Sequence, residues 1–299
     1  VFFTVDNIIT VLRQISINGI IAVGISCVLL VGCIDLSAGS TCAVAGCLCV
    51  VLNSSLGLPI WLSIVISLGA GALAGCFNGF VRAKTMLPPF IITLATQTTL
   101  RGVAYIFTDG YPVTSSVDAF NEIGNGYIGP IPTPVYIMAV VFIVVGVMLA
   151  RTKFGRHMYA VGGNMEAARH SGISYTRVIM GAYIISGMCA AIAGIILAAR
   201  MYSGQPTVGV GYETDAIAAS VIGGTKFGGG AATMGGTIIG ALVIGIINNG
   251  MNLLKINFYY QSIVKGLIIL GSVWFDSLRG KGTFGGKKKK AAKEEKKAA

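Results

Sequence analysis

"RTKFGRHMYAVGGNMEAARHSGISYTR", residues 151–177, is the stretch on which the fold turns. It gathers Arg151, Lys153, Arg156, Glu166, Arg169 and Arg177, with His157 and His170 beside them, and long apolar runs lie on both sides. Elsewhere charge is scarce. Of the 299 residues 11% are charged and 54% hydrophobic, whereas soluble domains carry about 25% charged residues. Mean hydropathy is +0.79. A water-soluble fold of this size has nowhere to hide so much apolar surface, whereas lipid can meet it. The chain reads as a polytopic membrane protein, and its 42 glycines suit close helix packing in a bilayer.

The formal charge of +11 does not point to nucleic acid, because seven of the 22 basic residues lie in the terminal run "KKKKAAKEEKK". That run, within 280–299, reads as a disordered, solvated tail, native or appended, rather than a specific lipid-binding element. Residues 1–279 form the transmembrane domain. The seven cysteines all fall in apolar segments without histidine beside them, so they read as small buried hydrophobes and not as metal ligands or disulfides.

A spanning helix needs about 20 apolar residues. The candidates are 16–33, 39–53, 61–81, 88–108, 135–150, 177–199, 214–224, 234–253 and 259–277. Lys and Arg concentrate on the cytoplasmic side of membrane proteins. Arg82 and Lys84, the 151–177 island, and Arg279 with Lys281 therefore mark inner loops. Loop 109–134 lacks Lys and Arg, as does 201–213 once Arg200 is passed, so both are placed outside. The alternation closes with an inner C-terminus and with Val1 outside. One further upstream helix, giving ten spans, is the expectation.

Two places break the apolar pattern: "VGCIDLSAGSTCAVAG" (31–46) and "VIGGTKFGGGAATMGGTIIGAL" (221–242). Each holds one charge in a Gly/Ser/Thr-rich break, Asp35 in the first and Lys226 in the second. Irregular backbone at membrane depth survives only inside protein or against water. Segment 214–224, at about 1.5 Å per residue, is too short to cross and reads as a half-helix. The two regions share one plan, which suggests internal duplication, a common basis of transporter folds.

The run "GCIDLSAGS" resembles the signature of the membrane permeases of ribose-type sugar ABC importers, in the branched-chain amino acid/ribose permease superfamily. Three further blocks agree in order and spacing: "GRHMYAVGGNMEAARHSGI", "QPTVGVGYETDAIAASVIGGTKFGGG" and "NNGMNLLKINFYYQSIVKGLIIL". Cys33 stands where Gly is expected. The resemblance covers residues 3 to about 279. It implies an all-α permease of about ten spans in the bacterial plasma (inner) membrane, with a second permease copy, identical or not, completing the pathway. It also implies two cytoplasmic ATPase domains, which bind and hydrolyse ATP, and an extracytoplasmic sugar-binding protein. The permease itself needs no cofactor, metal or catalytic group.

The island then has a physical reading. Asn164 is a good N-cap, Glu166 suits the positive end of a helix, and Arg169 and His170 its negative end. Gly172 fits a helix C-terminus. A short helix over about 165–171 is expected, with Gly163 before it, and with Ala167 and Ala168 small enough to let another surface approach. By the resemblance this is the helix that couples to the ATPase; without it, the segment is an ordinary positive-inside loop.

Asp35, Ser37 and Ser40 are either pathway residues or caps of the helix starting near Ser37. Asn248, Asn249 and Asn252, with Gln261, sit where they line a pathway or join helices. Arg101 and Lys265 lie within spans and call for partners, while Arg200, Glu213 and Asp215 flank the outer loop. No G-x-x-x-x-G-K-[ST] nucleotide motif occurs. A stand-alone ion-coupled transporter and a branched-chain amino acid permease remain as rivals; an intramembrane enzyme lacks paired catalytic groups.

Overall fold

The computed structural model describes residues 4–85, 87–257 and 259–274. The tail 280–299, with Arg279 and Lys281, lies outside the described residues. The chain is all-α, with the helices α1 (Val5–Leu30), α2 (Ala38–Val50), α3 (Ile60–Thr85), α4 (Pro89–Phe107), α5 (Asp118–Asn125) and α6 (Thr133–Arg151). Then follow α7 (Lys153–Gly163), α8 (Met165–His170), α9 (Tyr175–Arg200), α10 (Tyr212–Ile222) and α11 (Met234–Leu253). Residues 259–274 form a last helix, α12. Four two-residue strands make two small antiparallel pairs: β1 (Val113–Thr114) with the distant β4 (Ser203–Gly204), and β2 (Tyr127–Ile128) with β3 (Ile131–Pro132) in a hairpin.

Among the described residues seven helices, α1, α2 with its π-helical end, α3, α4, α6, α9 and α11, are long and apolar enough to cross a membrane. Of the other two candidates, α10 has 11 residues, too few to cross, and α12 has 16 described residues. α9 and α2 form the hub, with 78% and 72% of their spanning windows buried, while α4 and α6 bury only 22% of theirs within this chain.

The hub is built on small residues. Gly71, Gly75 and Gly79 recur every fourth position on α3 and lie against α9. A methyl group at Gly75 would come within 2.6 Å of the Tyr183 carbonyl carbon, and one at Gly71 within 2.7 Å of the Ala191 methyl. Backbones therefore touch at a spacing that side chains forbid, which is the small-xxx-small packing of membrane helices.

Two sequence expectations are corrected, for α1 and for residues 201–213, and one loop gains a helix. The first helix starts at Val5 rather than 16, because its polar residues find protein partners. Asn7 exchanges two amide hydrogen bonds with Asn249 (3.1 and 2.9 Å), and Arg13 donates to the Asn125 carbonyl (3.0 Å) and stacks over Tyr127. The outer loop 109–134 contains α5, held by burial of Phe120 and Asn121. The outer segment 201–213 does not stay outside. Gly204 packs on Cys47 of α2, and Gly209 on Gly39 near the start of the same helix. The chain thus descends along α2 to reach α10.

Candidate functional sites

The first break, residues 31–37, joins α1 to α2 through a closed polar cluster. Asp35 Oδ1 accepts from the Ser37 N–H (2.9 Å) and the Ser37 hydroxyl (2.6 Å), and its Oδ2 accepts from Ser186 Oγ (2.7 Å). Ser186 lies near the middle of the 26-residue α9, so the carboxylate sits at mid-membrane depth. Ser37 Oγ accepts from Asn78 Nδ2 (2.9 Å) on α3, and Asn78 Oδ1 accepts from Thr96 Oγ1 (2.6 Å) on α4. Tyr183 OH donates to the Ile34 carbonyl (2.9 Å). Both carboxylate oxygens of Asp35 are thereby engaged, and the residue is 2% exposed. Three hydrogen bonds to the carboxyl group offset part of the cost of burying it. Ser40 is buried on α2, and its hydroxyl has no hydrogen-bond partner among the described residues. Ser37 stands at the N-cap position of α2 but its side chain caps no helix N–H; Asp35 holds the turn before the helix through the Ser37 N–H, and the cluster adds a tie across α3, α4 and α9 that the sequence reading did not contain. Asn78, a lone amide in an apolar run, was its visible signal.

The descending segment is held from α4. Arg101 donates to the carbonyls of Pro206 and Val208 (2.7 Å to the latter). These peptide groups have left regular structure at membrane depth, and the guanidinium satisfies them where lipid cannot. Arg101 thus binds backbone and not an acid. Glu213, at the start of α10, accepts from Gln97 Nε2 (3.3 Å) and the Gly211 N–H (3.3 Å).

Lys265 on α12 does pair with an acid, Asp215 at 2.8 Å, and Asn248 Nδ2 donates to the same carboxylate oxygen (3.0 Å). This pair lies in a pocket of about 200 Å³ whose wall carries amides from α1, α11 and α12, together with Arg200 and Tyr212. Asn248 and Asn252 line it, and Asn252 Oδ1 accepts from Gln261 Nε2 (2.9 Å). Asn249 is absent from its lining and spends its amide on Asn7.

On the cytoplasmic side the island forms two helices where one was expected. Thr152 alone separates α6 from α7 and caps the latter, its Oγ1 accepting from the Gly155 N–H (3.1 Å). α7 buries Gly155, Met158 and Val161, one helical face. Tyr159 OH donates to the Ala232 carbonyl (2.8 Å) in the second break; burial holds its phenol above the usual value, so it remains a donor. Gly162 lies against Leu30 and Gly230, and the Gly230 N–H donates to the Leu30 carbonyl (2.9 Å). The end of α1, the second break and α7 therefore meet backbone to backbone. Lys226, in that break, is exposed.

α8 follows the expectation closely. Asn164 Oδ1 accepts from the Ala167 N–H (3.0 Å). At the other end Gly172, with φ +78°, closes a Schellman turn: Ile173 N–H donates to Ala168 O and Gly172 N–H to Arg169 O, both 3.0 Å. Gly163, Asn164, Glu166, Ala167, Arg169 and Gly172 are exposed. Ala168 is the correction: it is 4% exposed and faces the core, so it seats α8 on the protein rather than offering a surface. A cleft of about 360 Å³ lies between Ala83, Met165, Arg169 and the turn 172–176.

A lipid-embedded, all-α bundle with interrupted helices, an outer polar pocket and a capped helix on its inner face is a multi-pass permease of the bacterial plasma membrane. Residues 7–273 match the family described as branched-chain amino acid transport system / permease component, and the chain belongs to that family. It is similar to the ribose import permease protein RbsC of Haemophilus influenzae, 46% identical over 93% of this chain and 87% of that one. The Bacillus subtilis RbsC is 45% identical over 90% and 84%. The xylose transport system permease protein XylH of Escherichia coli is 33% identical over 92% and 86%. Among solved structures, PsaBC from Streptococcus pneumoniae in complex with Fab aligns with a TM-score of 0.45 and 15% identity over 92% of this chain and 90% of that one.

Proposed function

We propose that this chain is the membrane subunit of an ATP-driven importer for a simple sugar, ribose or a near relative, and that it does no chemistry of its own. The observation that carries the reading is the 46% identity to a ribose import permease over 93% of the chain. The island geometry supports it, since a rigidly capped helix stands exposed on the inner face with no nucleotide motif in the sequence. α8 docks on a cytoplasmic ATPase through Gly163, Asn164, Glu166, Ala167, Arg169 and Gly172. α7 passes the movement to Leu30 and to the second break. A second permease copy completes the pathway, and an extracytoplasmic binding protein delivers the sugar and sets most of the selectivity. Asn248 and Asn252 meet solute in the outer pocket; Asp35 and Ser37 brace the helices that move. The family description also names branched-chain amino acids, so labelled ribose, xylose and leucine are the substrates to compare.

The docking is tested by cross-linking. Six native cysteines are buried and Cys76 is half-buried, so a thiol introduced as Glu166→Cys is chemically distinct. With the ATPase subunit coexpressed, a short bifunctional reagent joins position 166 to that subunit, and the yield changes on adding ATP. A fully labelled thiol that never cross-links removes α8 from the interface.

A further inference from the structure

We propose that the outer-leaflet face of the subunit holds one phospholipid with a primary-amine headgroup, seated across two adjoining cavities. The first is an apolar groove of about 470 Å³ bounded by α3, α6 and α9 and roofed by α5. Ile64, Ile137, Val140, Ile192 and Ile195 are among its walls. It opens onto the lipid-facing belt, where Val65 of α3 and Ile143 and Val144 of α6 are exposed. The groove exists because α3 packs on α9 while α6 packs on α1 and α5, which leaves α3 and α6 open to each other in front of α9. The second cavity, about 430 Å³, shares Ile123, Ile128 and Thr133 with the groove and continues outward past Ala119, Glu122 and Tyr127.

The chemistry changes along this path as it does along an amphiphile. The groove wall is apolar except for Thr133 and the Tyr136 hydroxyl, and that hydroxyl is bound to the Ile128 carbonyl (3.1 Å). An acyl chain meets only hydrocarbon there, and each buried methylene adds to its hold. At the outer end stands the exposed carboxylate of Glu122, which has no ion-pair partner among the described residues. The loop 109–134 contributes Asp109 and Asp118 and no Lys or Arg, so an ammonium group is favoured over an anion. Arg13, stacked at 4.8 Å on the ring of Tyr127, lies behind the cavity wall. The carboxylate at the rim meets the amine of the headgroup, and the Arg13 charge bears on its phosphate only through Tyr127. The occupant that fits is phosphatidylethanolamine, with its amine at Glu122 and one chain along α6.

The test is native mass spectrometry of the full-length protein released from nanodiscs containing equal phosphatidylethanolamine and phosphatidylglycerol. The wild type retains one phosphatidylethanolamine per subunit, favoured about two- to fivefold over the glycerol lipid, the scale of one exposed charge contact. Val140→Trp, which fills the groove from its exposed rim, lowers occupancy by about tenfold or more. Glu122→Gln keeps a lipid in the groove and removes the headgroup preference. Equal or greater retention of the glycerol lipid by the wild type overturns the proposal. So does unchanged occupancy in Val140→Trp, or an unchanged preference in Glu122→Gln.

Discussion

Gly162→Ala asks most sharply how a movement outside the membrane reaches the helices within it. The added methyl carbon would stand 2.7 Å from the Gly230 nitrogen and 2.9 Å from the Leu30 carbonyl carbon, with the Leu30 oxygen closer still. All three are backbone atoms, so no side chain can swing aside. Ordinary contact begins near 3.4 Å, so α7 must withdraw by more than half an ångström. That strains the Leu30–Gly230 and Tyr159–Ala232 hydrogen bonds (2.9 and 2.8 Å). Overpacking of this kind costs about 1–3 kcal/mol, and a biased mechanical contact of that size changes a two-state equilibrium by about five- to 150-fold. The assay is sugar uptake and ATP hydrolysis measured in parallel on the reconstituted complex. The expected result is a several-fold fall in sugar moved per ATP, with membrane insertion intact. Gly235→Ala is the control, because a methyl there meets nothing within 4 Å. Wild-type stoichiometry in Gly162→Ala, or an equal loss in Gly235→Ala, refutes transmission through α7.

Lys265→Met leaves Asp215, 3% exposed, without its cation. Removing one partner of a buried pair costs about 3–5 kcal/mol, at the low end here because the Lys265 side chain is 29% exposed; thermal unfolding in detergent falls sharply, and the double variant Lys265→Met/Asp215→Asn recovers most of it. Asp35→Ala strands the Ser37 N–H and the Ser37 and Ser186 hydroxyls inside the protein, at about 1–3 kcal/mol for each group left unpaired. Its melting temperature drops well below that of Asp35→Asn, which keeps two acceptor lone pairs on one oxygen; equal melting of the two removes Asp35 from its bracing role.

Much of the fold was legible because lipid imposes a simple length rule. α3, α4, α6, α9 and α11 lie within about two residues of the apolar runs, apart from four residues at the end of α3. α8 was legible for another reason: capping is local chemistry, and Asn164 and Gly172 carry it in their own side chain and backbone. α1 was misplaced at its start because Arg13 and Asn7 look like solvent residues until Tyr127, Asn125 and Asn249 are seen beside them. The descent of residues 204–211 along α2 was hidden for the same reason. Its depth is fixed by Arg101 from α4 and by Gly39 from α2, neither of which is near in sequence. Sites that depend on such long-range partners, the Asp215–Lys265 pocket and the Asp35–Asn78–Thr96 tie, appear only when the helices are assembled. Ala168 shows the limit at its smallest: composition gave a small residue on a short helix, and only packing says which way it faces.

The claim beneath the account is that the bundle is a passive gate, moved from the cytoplasm by a separate nucleotide-hydrolysing subunit. Its most direct measurement is uptake of labelled ribose into vesicles carrying this permease, with the binding protein outside and with or without the ATPase subunit and ATP inside. Uptake against a gradient only when both are present is the predicted result. Concentrative uptake by the permease alone, driven by a proton or sodium gradient, would contradict it.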